Sequence, residues 1–147
     1  MIPAQASPFH DLLARYAASV RDKNVEAFAA LYDADVHVFD MWGRWSLRGI
    51  DAWRAMAREW FGSLGGEQVV VTYSDAEASM AGGLVVGHAT VTYTAQSTAG
   101  EQLRSLDNRM TMTMALRRRG DAWLVFHEHS SAPIDQASLQ AILKRER

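Results

Sequence analysis

Residues 123–133 read Trp-Leu-Val-Phe-His-Glu-His-Ser-Ser-Ala-Pro, and this stretch decides the fold of the chain. Aromatic and β-branched residues dominate its first half, which is typical of a β-strand. Pro133 cannot donate to a strand ladder, so the strand is expected to end before it. The stretch therefore predicts the last strand of a sheet, over 123–131.

Strand patterns joined by short turns precede this last strand. The predicted strands begin with 69–73 and continue with 84–94 and 103–116. Turns are expected at 97–101 and at Gly120-Asp121. Strands joined by such short turns must be antiparallel neighbours. The second half of the chain is therefore expected to fold as an antiparallel meander.

The first half of the chain is predominantly helical. Ser7-Pro8 is a typical helix start, and the apolar spacing that follows predicts a first helix over 8–22. Asn24 is expected to cap a second, short helix, and the apolar stripe over 50–64 predicts a third. These three helices supply the apolar faces that a sheet can cover.

A short strand over 36–40 and a loop over 41–49 separate the second and third helices. Asp135 is expected to cap a short C-terminal helix after the sheet. Helices followed by an antiparallel meander define the α+β class. We predict a single domain over 1–147, in which three N-terminal helices pack on a strongly curved antiparallel sheet and leave a cavity at its mouth.

Composition and charge exclude several classes of protein. The 147 residues include no cysteine, which excludes disulfides, thiol nucleophiles and Cys-ligated zinc. The formal net charge of −2 gives no indication of a nucleic-acid or membrane partner. No phosphate-binding glycine loop or HExxH sequence occurs, so no cofactor or metal is expected. Neither a secretory leader nor a membrane-length apolar run is visible, so we expect a cytoplasmic protein.

Two histidines on the last strand are candidates for acid–base catalysis. Side chains alternate in direction along a strand. One face is therefore expected to carry Trp123, Val125, His127, His129 and Ser131. The strand becomes polar only toward its C-terminal end, where a cone would open. We therefore expect this face to be concave, with Ser131 among the ligand-binding residues. The opposite orientation would place Glu128 in the cavity instead.

Three interpretations fit the pair of imidazoles. They can be acid–base groups of a small-molecule site, hydrogen-bonded residues of a wall or interface, or metal ligands. A metal would need a third ligand, for which Asp40 and His37 are the candidates. We predict the small-molecule site, with His127 and His129 as catalytic residues.

Asp40 ends the first predicted strand immediately before a tryptophan-rich loop. Apolar rings beside a carboxylate raise its pKa, which suits a general base; the alternative is a turn-capping role. Trp42 and Trp45 lie on the loop, where packing demands less of them, and they are candidates for stacking on a flat apolar ligand. Tyr16, on the apolar stripe of the first helix, is a further ligand-binding candidate.

Arg109 lies in the middle of the long predicted strand over 103–116. It is either exposed to solvent, or it pairs with a carboxylate and provides an anion site among the ligand-binding residues. Both faces of this strand are partly apolar or uncharged. The outer face of the sheet is therefore expected to be covered in a homodimer.

The order of elements and several short matches resemble the NTF2-like superfamily and, within it, the SnoaL-like group. The matching pieces are Val38-Phe39-Asp40 with its Trp loop, Arg48-Gly49, Trp53, Trp60-Phe61, Arg109-Met-Thr111 and the ending over 123–133. The resemblance covers residues 9–133 and extends to ketosteroid isomerase and to the association domain of calcium/calmodulin-dependent kinase II. It implies a cone-shaped fold, usually dimeric, with a pocket between the sheet and the helices.

The resemblance also implies acid–base chemistry on small organic molecules without a cofactor. We expect an isomerase, dehydratase or cyclase that acts on an apolar carbonyl compound. In this hypothesis Asp40 or a histidine of the 127/129 pair moves the proton and Arg109 holds developing negative charge. The alternative is a non-catalytic ligand-binding or assembly domain that holds a small carboxylate.

Overall fold

The computed structural model describes residues 7–116 and 121–146, and within them three helices pack against one sheet. The helices are α1 (Pro8–Arg21), α2 (Val25–Ala29) and α3 (Ile50–Ser63). The strands are β1 (Tyr32–Phe39), β2 (Leu47–Arg48), β3 (Gln68–Ala81), β4 (Leu84–Gln96), β5 (Gln102–Leu116) and β6 (Trp123–Ser131). The strand order in the sheet is β2-β1-β6-β5-β4-β3. The predicted turn at Gly120-Asp121 lies partly outside the described residues.

The helices begin where local chemistry predicts. The Ser7 hydroxyl accepts a hydrogen bond from the His10 amide at 3.2 Å, and the Asn24 side chain accepts one from the Ala27 amide at 3.0 Å. These contacts satisfy amides that the first turn of a helix leaves unpaired. None of the helices in the described ranges is long and apolar enough to cross a membrane.

The sheet is mixed, which corrects the prediction of a wholly antiparallel sheet. Strands β3 to β6 form the predicted antiparallel meander, whereas β1 lies parallel to β6. The chain passes through α3 and four strands between β1 and β6, so no short turn sets the direction of this pair. β1 also begins at Tyr32, four residues before the strand that the sequence predicts over 36–40.

Irregularities in the strand ladders bend the sheet around the helices. Register shifts occur in the β1–β6, β3–β4, β4–β5 and β5–β6 pairs. A bulge bends its strand and increases the local twist. The concave face and the helices enclose the apolar core, whose largest fully buried members include Phe9, Phe28, Leu12, Leu31, Met110, Met112 and Met114.

The predicted C-terminal helix is wrong. The chain after β6 is irregular, with an isolated bridge between Ile134 and Ala141 and a positive φ of 60° at Leu139. β6 pairs with β5 only from Arg109 onward, so the earlier part of that β5 edge needs another partner. The C-terminal segment provides it, because the Asp107 amide donates to the Leu143 carbonyl at 2.8 Å.

Asp107→Ala is expected to loosen the C-terminal segment. The Asp107 carboxylate accepts from the Arg145 amide at 2.7 Å and from the Thr92 hydroxyl at 2.7 Å. Losing a buried acceptor of this kind costs about 1–3 kcal/mol. Urea unfolding should show this loss, whereas the control Asp22→Ala, in an exposed ion pair, should change stability by less than about 0.5 kcal/mol. Equal stability of the two variants would contradict the anchoring role.

Candidate functional site

A cavity of about 850 Å³ lies between α3 and the concave face of the sheet. The α3 wall includes Met56 and Trp60, and the sheet wall includes Tyr93 and Met110. The loop between β1 and β2 and the C-terminal Leu143 complete the lining. The volume is in the range of cavities that hold small organic molecules.

A β-bulge in β6 decides which side chains reach this cavity. The ladder with β5 pairs Thr113 with His127 and then Met114 with Val125, so Phe126 is an extra residue on β6. One extra residue reverses the alternation of faces from that point on. Glu128 and Ser130 consequently lie on the buried, concave side with Val125.

The prediction that the histidine face of β6 lines the cavity is therefore wrong. His127, His129 and Ser131 lie on the outer face of the sheet, and the bulge is the physical reason. Arg109, which pairs with Ser131 across the ladder, is exposed on the same face and lies outside the cavity lining. Partial burial lowers the pKa of His127, and the neighbouring imidazoles of His129 and His37 lower it further.

The metal interpretation of the histidine pair finds no support in the geometry. Asp40 lines the cavity, whereas His127 and His129 lie on the other face of the sheet. Across residues 7–116 and 121–146, no three His, Asp or Glu side chains are placed to hold a metal ion.

Three of the predicted site residues do line the cavity, namely Tyr16, Asp40 and Trp42. Trp45, the other loop tryptophan, is 94% exposed and does not contribute to the lining. Both tryptophans lie on the same loop, which is why both are ligand-binding candidates from the sequence. The loop conformation separates them.

Glu128 is the most strongly perturbed carboxyl of the cavity. It is only 2% exposed, and the Tyr32 hydroxyl donates to its Oε1 at 2.6 Å. Burial raises the pKa of Glu128 to about 8, and the nearby charge of Asp40 contributes to the rise. Glu128 is therefore predominantly a neutral acid at pH 7.

Asp40 differs from Glu128 because it is less buried and its Oδ1 accepts two hydrogen bonds. The Ser130 hydroxyl and the Met41 amide each donate to Oδ1 at 3.0 Å, and Oδ2 takes part in neither bond. Burial raises the pKa of Asp40, but these hydrogen bonds oppose the rise. Asp40 is therefore a stronger acid than Glu128.

Two tyrosine hydroxyls, hydrogen-bonded to each other, lie in the same cavity. The Tyr16 and Tyr93 hydroxyls lie 2.9 Å apart, and both residues contribute to the lining. Burial raises the pKa of both well above the usual value, so both remain protonated. Asn108, only 6% exposed, also lines the cavity.

Sequence reasoning gave no role to Tyr93 or Asn108 and placed Glu128 in the cavity only as an alternative. The sequence pattern of β4 could have indicated Tyr93, because Tyr93 shares the inner face of β4 with the apolar residues Val91 and Ala95 and carries a polar hydroxyl. The bulge at Phe126 has no comparable signal in the sequence.

The fold and its cavity define an NTF2-like protein. An NTF2-like protein of unknown function from Pseudomonas putida KT2440 has a TM-score of 0.84 at 24% identity, covering 100% of this chain and 99% of that one. Aln2 from a Streptomyces species has a TM-score of 0.73 at 20% identity, covering 88% and 91%. A putative calcium/calmodulin-dependent protein kinase II association domain from Xanthomonas campestris has a TM-score of 0.73 at 16% identity, covering 90% and 92%.

Within this class the chain belongs to the SnoaL-like domain family, which matches residues 10–135. No protein of curated function matches the chain. The superfamily and group inferred from the β6 ending and the order of elements are thereby confirmed.

Proposed function

We propose that the cavity binds a small, largely apolar carbonyl compound and catalyses a proton transfer on it without a cofactor. The reaction class is that of an isomerase, dehydratase or cyclase. One observation carries the proposal: two carboxyls, Asp40 and Glu128, line one apolar cavity, and their surroundings separate their pKa values. Such a pair supplies a base and an acid at the same pH.

Asp40 is the base in this mechanism. Its ionised carboxylate removes a proton from the carbon next to the carbonyl group. The electron pair of the broken C–H bond forms a C=C bond to the carbonyl carbon, and the π pair of the C=O bond moves to the oxygen. Ser130 and the Met41 amide hold Oδ1, which leaves Oδ2 for the substrate proton. Asp40 then returns the proton to the same or another carbon of the substrate.

Glu128 is the group that stabilises the developing oxyanion. A neutral carboxylic acid in an apolar cavity donates a hydrogen bond to negative oxygen without an opposing charge. Tyr32 donates to Oε1, so the proton of Glu128 is directed to its other oxygen. One hydroxyl of the Tyr16–Tyr93 pair donates to the other, so the pair provides one further donor in the cavity.

The proposal is tested by exchange of α-protons with solvent. The protein is incubated in deuterium oxide with a panel of cyclic ketones, and the loss of the α-proton signal is followed by NMR. Asp40→Asn should slow exchange by about 10²–10⁴-fold, because the amide cannot accept the proton. His127→Ala and His129→Ala serve as controls and should leave the rate unchanged, since both side chains lie on the outer face.

Two results would contradict this assignment. Full exchange activity in Asp40→Asn would remove the base. Ketones that bind in the cavity without any protein-dependent exchange would instead support the non-catalytic binding domain.

A further inference from the structure

We infer that the ligand of this cavity is an amphipathic acid whose anionic group lies at the mouth beside Arg44, while its carbonyl end lies near Asp40 and Glu128. This rests on the proposed function and adds the substrate class. It also moves the anion site from Arg109, where the sequence placed it, to a residue of the cavity lining.

The charged side chains of the cavity are unevenly distributed. Those that line it are Asp40, Arg44, Glu59, Arg104 and Glu128. Asp40 and Glu128 are set back between the sheet and the β1–β2 loop, and Glu128 is 2% exposed. Arg44 and Glu59 are exposed at the rim. An anion therefore meets only carboxyls inside the cavity, whereas at the rim it meets the guanidinium of Arg44 as well as the carboxylate of Glu59.

Arg104 is already neutralised by a partner. Its Nη1 and Nη2 donate to the two carboxylate oxygens of Glu67 at 3.2 Å and 2.6 Å, which is a two-point ion pair. A nearby ammonium, that of Lys144, donates to the Ser105 hydroxyl on the same side of the cavity. Within residues 7–116 and 121–146, Arg44 takes part in none of the ion pairs.

In the sequence, Arg44 lies between two tryptophans of the β1–β2 loop. Trp42 lines the cavity and is 54% exposed, and Trp45 is 94% exposed. Gly43 has a φ of +71°, a conformation that glycine adopts readily, and it makes the bend that brings Trp42 and Arg44 to the lining. Indole and guanidinium side by side suit a ligand whose apolar body ends in an acid group.

The position of the Arg44 guanidinium at the mouth, with only carboxyls inside, gives the ligand one favoured orientation. Asp40 repels an anion placed at the inner end, and Glu128 does so once it ionises. Arg44 attracts the anion at the mouth. The neutral carbonyl end is therefore directed toward the two carboxyls that the reaction requires.

A matched pair of fluorescent probes tests this inference. 8-Anilinonaphthalene-1-sulfonate and N-phenyl-1-naphthylamine share one ring system, and only the first carries a negative charge. Wild-type protein should bind both, and Met56→Trp, which narrows the cavity, should weaken both. Arg44→Gln should weaken the sulfonate probe roughly two- to fivefold at low salt and leave the neutral probe unchanged. Added salt should reduce the difference between the wild type and Arg44→Gln.

Two control variants separate a local effect from a change in net charge. Arg109→Gln removes the same charge on the outer face and should leave both affinities unchanged. Glu59→Gln removes the acidic group of the rim and should leave the sulfonate probe bound as tightly or more tightly.

The outcomes distinguish this inference from the function on which it rests. Equal loss of both probes in Arg44→Gln, or no loss of either, would overturn the anion site and leave the cavity function standing. If the neutral probe does not bind the wild type, or binds Met56→Trp equally well, both the anion site and the cavity function would be overturned. Loss of the sulfonate probe alone supports the amphipathic acid.

Discussion

Gly87→Ala is expected to destabilise the protein by about 1–3 kcal/mol, the usual cost of forcing an extra carbon into a packed core. Gly87 lies on the inner face of β4, directly beneath the ring of Phe9 from α1. A Cβ at Gly87 would lie 2.4 Å from the Cγ and Cδ1 atoms of Phe9, and Phe9 is fully buried. The ring cannot move aside without displacing α1 from the sheet.

Two free-energy contributions of opposite sign decide whether Gly87→Ala stabilises or destabilises the protein. Replacing glycine by alanine where the backbone is compatible stabilises a protein by about 0.4–1 kcal/mol through the unfolded chain. The steric cost at Gly87 exceeds that gain. Gly83→Ala is the matched control on the same hairpin, because nothing lies within 4 Å of its added Cβ. Gly83→Ala should therefore be neutral or slightly stabilising.

A double-mutant cycle isolates the contact. Phe9→Ala alone should cost about 3–5 kcal/mol by leaving a cavity. Adding Gly87→Ala in that background should cost little, because the ring that obstructs the methyl group is gone. Urea unfolding of the four proteins should then show a coupling energy of about 1–3 kcal/mol. Simple additivity would contradict the close approach of β4 and α1.

Glu128→Gln is expected to abolish a fall in stability between pH 5 and pH 9. Burial raises the pKa of Glu128 from 4.5 to about 8 in the folded protein. The folded state therefore binds more protons than the unfolded state between these values, and the free energy of unfolding decreases as the pH rises. Ionising the buried carboxyl costs roughly 3–5 kcal/mol over this window.

The contribution of Glu128 is fully present below about pH 4.5 and is lost as the pH passes through about 8. Glutamine cannot ionise but still accepts from the Tyr32 hydroxyl, so the variant should be more stable than wild type at pH 9 and similar at pH 5. Burial lowers the pKa of the His127 imidazole, so this residue lowers the free energy of unfolding as the pH falls below its usual pKa. His127→Gln should remove only this low-pH contribution.

Urea unfolding at several pH values measures the difference. Parallel pH profiles for wild type and Glu128→Gln would show that Glu128 ionises as freely in the folded protein as in the unfolded one. That result would also remove the neutral acid from the proposed mechanism.

The site was only partly predictable for reasons that particular residues make clear. Asp40 lies close to the end of a strand, so the pattern of β1 places it at the rim of the sheet. Trp42 follows on a loop whose apolar residues lack a packing role. The predicted orientations of His127 and Glu128 depended instead on the alternation of side chains along β6. The extra residue at Phe126 reversed both orientations.

The sequence by itself determined the parts of this protein that depend on neighbouring residues. Ser7 and Asn24 cap helices through amides three residues away, and short turns make β3 to β6 antiparallel neighbours. The family also followed from local patterns, above all from the β6 ending over 123–133.

Only the tertiary structure decided the parallel pairing of β1 with β6, the irregular C-terminal segment and the orientation of Glu128. Each of these depends on hydrogen bonds or packing between residues far apart in the chain. The edge of β5 near Asp107 took the C-terminal segment as its partner because a backbone amide there needed an acceptor. The residue pattern of the C-terminal segment does not reveal this unpaired amide. The helix that Asp135 predicts from local sequence therefore does not form.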